Sequence, residues 1–251
     1  MKITAIIAAR LESTRLPGKA LADIDGLPMV IHTCKRTALA NSIDEVVLAT
    51  DNDQIKAVAE THDIKVIMTK NSHKNSSERI AEAAENLDTD IIVNVQGDEP
   101  LVYPEHIDRV VAPFLSGEDV DITIGVTKFT KRNSPGDIKA VMGPDGNVLY
   151  CSRNDIPCYY LNDFEFMWKL CFIVPCKKQY AIDFLKWSPT PLELIEDNHF
   201  LRFIENGLAM RAIEIEGAKV SVDTAEDLEE IRGLMEKDTL KHQYTNSLIT
   251  S

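Results

Sequence analysis

Arg10, Arg15 and Lys19 follow an almost wholly apolar run, Ile3–Ala9, with Ser13, Thr14 and the turn pair Pro17-Gly18 between them. Three cations on a loop at the carboxyl end of a first strand form an anion trap, the place where ligands bind in open α/β sheets. A second group stands at Gln96-Gly97-Asp98-Glu99-Pro100. A carboxylate pair just past a buried strand, facing a basic loop, suits a Mg²⁺ that bridges phosphates. Gly97 would let the backbone approach a ligand closely. Farther along, Arg153 offers a planar fork suited to gripping a carboxylate at two points. Each group also has a plainer reading: a solvated basic loop, a turn or helix cap at Asp98, a surface ion pair at Arg153.

The charge balance sharpens the first reading. The 251 residues carry 27 Lys and Arg against 40 Asp and Glu, a net charge of −13. A basic cluster stands out in such a chain. The same balance argues against nucleic acid and against an anionic membrane surface as partners. No apolar run reaches a membrane span, and the N-terminus enters a strand directly, so no signal peptide is expected. The five cysteines form no CxxC pair and read as reduced thiols of a cytoplasmic protein. The P-loop pattern GxxxxGK and the dinucleotide pattern GxGxxG are both absent.

Strand-like runs at 3–9, 46–49, 65–68 and 91–95 alternate with helical patterns, Pro28 starting the first helix and Asp51 capping the second. Asn75 and Glu78 have capping-box spacing before the third helix. This βαβαβαβ order predicts an α/β fold: a mostly parallel, doubly wound, Rossmann-like sheet with right-handed crossovers. A helix over 104–115 and a strand over 122–127 follow. The pattern then changes to a β-hairpin about Pro144-Asp145-Gly146-Asn147, within an insert at about 130–175. After it the reading is a strand over 170–174, a helix over 177–187, one amphipathic helix over 192–205, strands over 209–215 and 220–222, and a closing helix over 225–235 capped by Thr224. Residues 1–236 are expected to form one domain and 237–251 a loose tail.

Three stretches resemble the signatures of the CMP-Kdo synthetase (3-deoxy-manno-octulosonate cytidylyltransferase) family, which are sugar nucleotidyltransferases. They are Ala9-Arg10 with Ser13-Thr14-Arg15-Leu16-Pro17-Gly18-Lys19, then Val93-Asn94-Val95-Gln96-Gly97-Asp98-Glu99-Pro100, then Val222-Asp223-Thr224 with Glu226-Asp227-Leu228. The resemblance runs from Ile3 to about Leu228. It implies transfer of CMP from CTP to an acidic sugar with release of pyrophosphate, as in lipopolysaccharide biosynthesis. By the same resemblance Arg15 and Lys19 hold the triphosphate, Arg10 lies near the α-phosphate, and Asp98 and Asp223 bind Mg²⁺. Ala9, Ser13 and Ser76 to Arg79 flank the nucleotide, while Arg79, Gln96 and Arg153 position nucleotide or sugar acid. Lys139 belongs to a segment that the family uses for the acid-sugar pocket and for pairing two subunits, so a homodimer is implied. No general base is assigned.

The acceptor side departs from the family pattern. Lys169-Leu170-Cys171-Phe172-Ile173 stands where the family has HLGIY, and His199-Phe200 replaces a sugar-contacting Glu-Gln pair. Sites built to bond hydroxyls discriminate strongly. The expectation is therefore an acceptor other than Kdo itself: another 2-keto-3-deoxy sugar acid, an amino-substituted Kdo or a small anion. A catalytically silent nucleotide-binding regulator is the competing class.

Overall fold

The computed structural model describes residues 1–13, 15–158, 160–161, 165–217 and 221–245. Thr14, Val220 at the head of the expected 220–222 strand, and residues 246–251 of the expected tail lie outside the described residues. The chain begins with β1 (Ile3–Ala9), the small hairpin β2 (Asp23–Ile24) and β3 (Leu27–Pro28), α1 (Met29–Thr37), β4 (Glu45–Thr50) and α2 (Asp53–Glu60). It continues through β5 (Lys65–Met68), α3 (Ser76–Glu85), β6 (Ile91–Gln96), α4 (Pro104–Leu115) and β7 (Ile122–Phe129). Then come β8 (Lys139–Met142), β9 (Val148–Ser152), β10 (Met167–Cys171), β11 (Ile173–Lys177), α5 (Lys178–Asp183), α6 (Pro191–Glu196) and α7 (Leu201–Glu205). The last elements are β12 (Met210–Glu214), α8 (Ala225–Met235) and α9 (His242–Thr245).

β5, β4, β1 and β6 lie side by side and parallel. β11 enters antiparallel between β6 and β7, β10 prolongs it along β7, and β12 flanks β7 in parallel. The β8–β9 hairpin hangs on β10. Among the described strands of this sheet β9, β10 and β11 run against the rest, so the mostly parallel α/β fold holds. The insert is an extension of the main sheet.

The apolar runs become strands because both of their faces are covered. Ile3, Ala5, Ile7 and Ala9 pack with Val30, Ile55 and Val110 on one side; Ile6 packs with Ile80, Ala84 and Phe203 on the other. Each buried Ile contributes roughly 1.5–3 kcal/mol relative to leaving it in water. A third cluster joins Ile24, Met29, Leu101 and Val222 to Leu228, Ile231 and Met235, with Leu16 against it. It fastens α8 beneath the 10–24 segment. Among the described residues no helix is long and apolar enough to cross a membrane.

Several local expectations are corrected. Asn52, not Asp51, caps α2, accepting bonds from the amides of Gln54 and Ile55; Asp51 is drawn to Arg79 instead. Pro28 precedes the first helical residue rather than occupying it, because it is the last residue of β3, paired with Asp23. The single helix expected over 192–205 is two, α6 and α7, broken where Asp197 turns left-handed at φ 48°. The helix expected over 177–187 keeps regular α geometry only to Asp183. The tail is not loose throughout: α9 packs on the body through Tyr244, which is 5% exposed.

Candidate active site

Strand register decides where the chemistry gathers. Ala9 is level with Thr50, and Ala8 with Gln96. The loops leaving β1, β4 and β6 therefore open at one edge of the sheet, over a cleft of about 800 Å³. Of the expected site residues, Ala9, Arg10, Ser13, Arg15, Lys19, Ser76, Arg79, Gln96, Asp98, Arg153, His199 and Asp223 line this cleft; Lys139 does not.

Lys19 is its centre. Gly18, at φ 71°, turns the chain into a short 3-10 helix that begins with Lys19. The lysine ammonium donates to Asp98 Oδ2 at 2.8 Å and to the Val222 carbonyl at 2.7 Å, and lies 3.4 Å from Asp223 Oδ1. Arg15 Nη2 donates to the same Asp223 oxygen at 2.8 Å. The two carboxylates thus converge from distant parts of the chain. A backbone bond from Val222 N to Asp98 O, 3.0 Å, ties their segments together. Asp223 is held at the head of α8, where Thr224 and Asp227 form a reciprocal capping box and Asp227 also accepts from the Asp223 amide at 3.0 Å. Arg10 is exposed and makes no hydrogen bond or ion pair among the described residues.

Gly97, which lines the cleft, also has a reason in its neighbour. A Cβ there would stand 2.8 Å from the Ala8 carbonyl oxygen on β1. Glu99, the second carboxylate of the pair read from the sequence, also lines the cleft. Burial first, then the charge of Asp98, pushes its carboxyl up to about 7, against a bond from Ser221 that pulls it down.

One wall of the cleft is formed by three residues at the head of α3. Asn75 caps the helix, accepting from Glu78 N at 2.9 Å. Arg79 is buried and held by Asp51 at 2.9 Å and Thr69 at 2.5 Å. Ser76 Oγ accepts from Gln96 Nε2 at 3.3 Å, and the same amide nitrogen donates to Asn94 Oδ1 at 3.1 Å.

Another wall of the cleft is built by the broken helix. Buried Arg202 forks onto both oxygens of Glu193, at 2.7 and 2.5 Å, and lies 4.0 Å over the Phe184 ring. This clamp joins α7 to α6 and leaves His199 at the cleft wall, its Nε2 3.5 Å from Ser76 Oγ. Burial lowers the His199 pKa to about 4, so the ring is neutral at pH 7. Arg153 is no free fork: its side chain donates to the carbonyls of Glu196 (2.8 Å), Pro135 (3.0 Å) and Asp197 (2.9 Å). Its own backbone amide, with Tyr150 and Ser152, donates to the Glu196 carboxylate.

Lys139 is withdrawn from the pocket. Fully buried, it donates to the carbonyls of Ser134, Asp137 and Arg153, and burial holds its pKa below the usual lysine value despite Asp155 and Asp137. It ties the start of the insert to the end of β9. From the insert, Lys131, Arg153 and Lys169 reach the cleft, Lys169 paired with Asp137 at 2.7 Å. Lys169 opens the stretch that departs from the family pattern.

Among the described residues no three His, Cys, Asp or Glu side chains gather as a metal cage. Two carboxylates meeting at one ammonium are the donor set that Mg²⁺ accepts when phosphates and water supply the remaining oxygens.

The chain is similar to known proteins along nearly its whole length. A cytidylyltransferase family model matches residues 4–238. The 3-deoxy-manno-octulosonate cytidylyltransferase of Geobacter metallireducens is 40% identical over 247 residues, covering 92% of this chain and 96% of that one. The enzyme of the same name from Chlorobium phaeobacteroides is 38% identical over 244 residues, covering 95% and 98%. A solved CMP:2-keto-3-deoxy-manno-octonic acid synthetase complexed with CTP superposes with a TM-score of 0.90 at 28% identity, covering 94% of this chain and 99% of that one. The inositol-1-phosphate CTP transferase from T. maritima, at 15% identity and a TM-score of 0.69, shares the fold. The chain therefore belongs to the cytidylyltransferases, and within them to the family of the 3-deoxy-manno-octulosonate cytidylyltransferases.

Proposed function

We propose that the protein transfers CMP from CTP to an acidic sugar of the 3-deoxy-manno-octulosonate type and releases pyrophosphate. The observation that carries this reading is the meeting of Asp98 and Asp223 at Lys19, with Arg15 and Arg10 on the same cleft. The acceptor follows the name borne by relatives 40% identical over 92% of the chain. They weigh against the different acceptor that the Lys169–Ile173 and His199-Phe200 departures led us to expect.

In the reaction the anomeric oxygen of the acid forms a bond to the α-phosphorus. The bond from that phosphorus to the bridging oxygen breaks, and the acceptor proton goes to solvent. Catalysis of this kind is positioning plus charge neutralisation. Arg15 and Lys19 exchange their carboxylate partners for the triphosphate, and Arg10, exposed at the cleft, faces the α-phosphate. Arg79, anchored by Asp51, and the Ser76–Gln96 pair border the nucleotide. Neutral His199 offers the acceptor a hydrogen-bonding edge without charge. Asp98 and Asp223 would hold Mg²⁺, which supplies Lewis-acid stabilisation of phosphate charge when bound. The reading further takes the protein as a cytoplasmic homodimer. Leu149 on the hairpin and Leu194 and Ile195 on α6 are exposed at 61%, 68% and 78%, apolar surface of the kind that a second subunit covers.

The test is pyrophosphate release from CTP and Mg²⁺ with Kdo and with related sugar acids. Release with Kdo at a kcat/KM of about 10⁴ M⁻¹s⁻¹ or more is expected. No release with any acid, despite CTP binding, would favour the silent regulator; release with UTP or GTP in preference to CTP would overturn the assignment of the base.

A further inference from the structure

The C-terminal segment reaches back across the molecule and takes hold of the β2–β3 hairpin, directly at Asp23 and Asp25 and through His32 at Ile24. Arg232 Nε and Nη2, on α8, donate to the Asp23 carbonyl at 2.9 and 2.8 Å. His32 Nε2, on α1, lies 2.7 Å from the Ile24 carbonyl and therefore carries the proton; its Nδ1 then accepts from Tyr244 of α9 at 2.9 Å. Lys241 pairs with Asp25. A fourth link, Arg36 with Asp238, anchors the segment to α1. The hairpin it grips closes through Asp25 and Gly26, both at positive φ (51° and 86°), which suits a tight turn.

What lies on the other side of the hairpin is the 3-10 turn of Lys19. Leu21 N bonds to Gly18 O, Ala22 N to Lys19 O, and Met29 N back to Ala22 O, in an unbroken run of short bonds. Leu16 and Ala22 pack against the cluster to which Leu228, Ile231 and Met235 of α8 belong. The same helix carries Asp223 at its head. One helix and its extension thus fix both the carboxylate and the far end of the cationic loop.

We propose that the segment Arg232–Tyr244 is a positioning strap for the phosphate-binding loop, with Arg232 and Tyr244 as positioning residues that act through the hairpin on Lys19. None of its side chains need touch substrate. The proposal rests on the cytidylyltransferase reading for its kinetic consequence, and on geometry alone for its dynamic one.

The experiment uses the full chain with Arg232→Ala, Arg232→Lys and Tyr244→Phe, singly, and Arg232→Ala with Tyr244→Phe. The Arg232 side chain is 38% exposed, so its loss opens no cavity. Amide hydrogen exchange in the 16–27 peptides should quicken by about tenfold in the double variant while the β1 and β4 peptides stay unchanged. The KM for CTP should rise about five- to tenfold, with the KM for the acid unchanged, and Arg232→Lys should recover part of the loss. Unchanged exchange at 16–27 overturns the strap whatever the turnover. Quickened exchange with an unaltered KM for CTP, or an equal rise in both KM values, also overturns it. If the wild-type protein turns over no nucleotide, the functional reading fails separately and the exchange result alone decides the strap.

Discussion

Asp98 and Asp223 share one ammonium, and that sharing makes their removal informative. Asp98→Asn and Asp223→Asn should each lower turnover at least about a hundredfold, since a phosphate-bridging cation loses a hard oxygen ligand, while circular dichroism stays unchanged. Full turnover in either variant would remove that residue from the mechanism. Lys139 calls for the opposite outcome. The lysine itself is fully buried among three carbonyl partners, so Lys139→Met should cost about 3 kcal/mol in urea denaturation, because the acceptors are left without donors; a loss of activity at unchanged stability would return it to the substrate pocket. The sequence could not show this burial, because lysine is rarely buried at all and the neighbours that receive it come from the folded insert. His199 gives a pH signature. Its pKa is about 4 in the fold against 6.5 outside it, so the unfolded chain takes up the proton first as pH falls. Its contribution to stability is present above pH 6.5 and is lost between 6.5 and about 4. His199→Gln should flatten that acid limb of stability by on the order of 2 kcal/mol. An unaltered limb would mean that the ring titrates freely in the cleft.

The α6–α7 break shows what apolar periodicity does and does not disclose. Spacing alone joined residues 192–205 into one helix, since Asp197 is an ordinary residue in such a pattern. The left-handed turn follows from tertiary claims: Arg153 takes the carbonyls of Glu196 and Asp197, and Arg202 takes Glu193. Asp197 is almost wholly exposed and its bond to Arg153 runs chiefly through the backbone. Asp197→Gly should therefore be neutral or stabilising by up to about 1 kcal/mol, and Asp197→Val should cost about 1–2 kcal/mol. Thermal midpoints in the reverse order would show that the conformation is not strained. The strands were legible for the converse reason: Ile3–Ala9 and Ile91–Gln96 are covered on both faces, and continuous apolar runs have few other uses. The docking of α9 was illegible, because it depends on one tyrosine meeting one histidine from the other end of the chain.

For the whole molecule, light scattering at micromolar concentration should give twice the 28.1 kDa of one chain, and a monomer would count against the paired hairpins. Placing a charge at Ile195, which is 78% exposed, should weaken that association if α6 belongs to the interface. The order of the elements along the chain also sets an order in time. The parallel strands β1, β4, β5 and β6, with the cationic loop and Asp98, are complete within the first hundred residues; Asp223 and α8 come near the end. A chain leaves the ribosome from its N-terminus, and early parts collapse before late ones exist. During synthesis the cleft therefore holds Lys19 and Asp98 with nothing opposite them, and the second carboxylate arrives after about nine-tenths of the 251 residues have been made. An interrupted message therefore yields a protein with the basic loop and Asp98 in place but without Asp223, the cleft's other carboxylate.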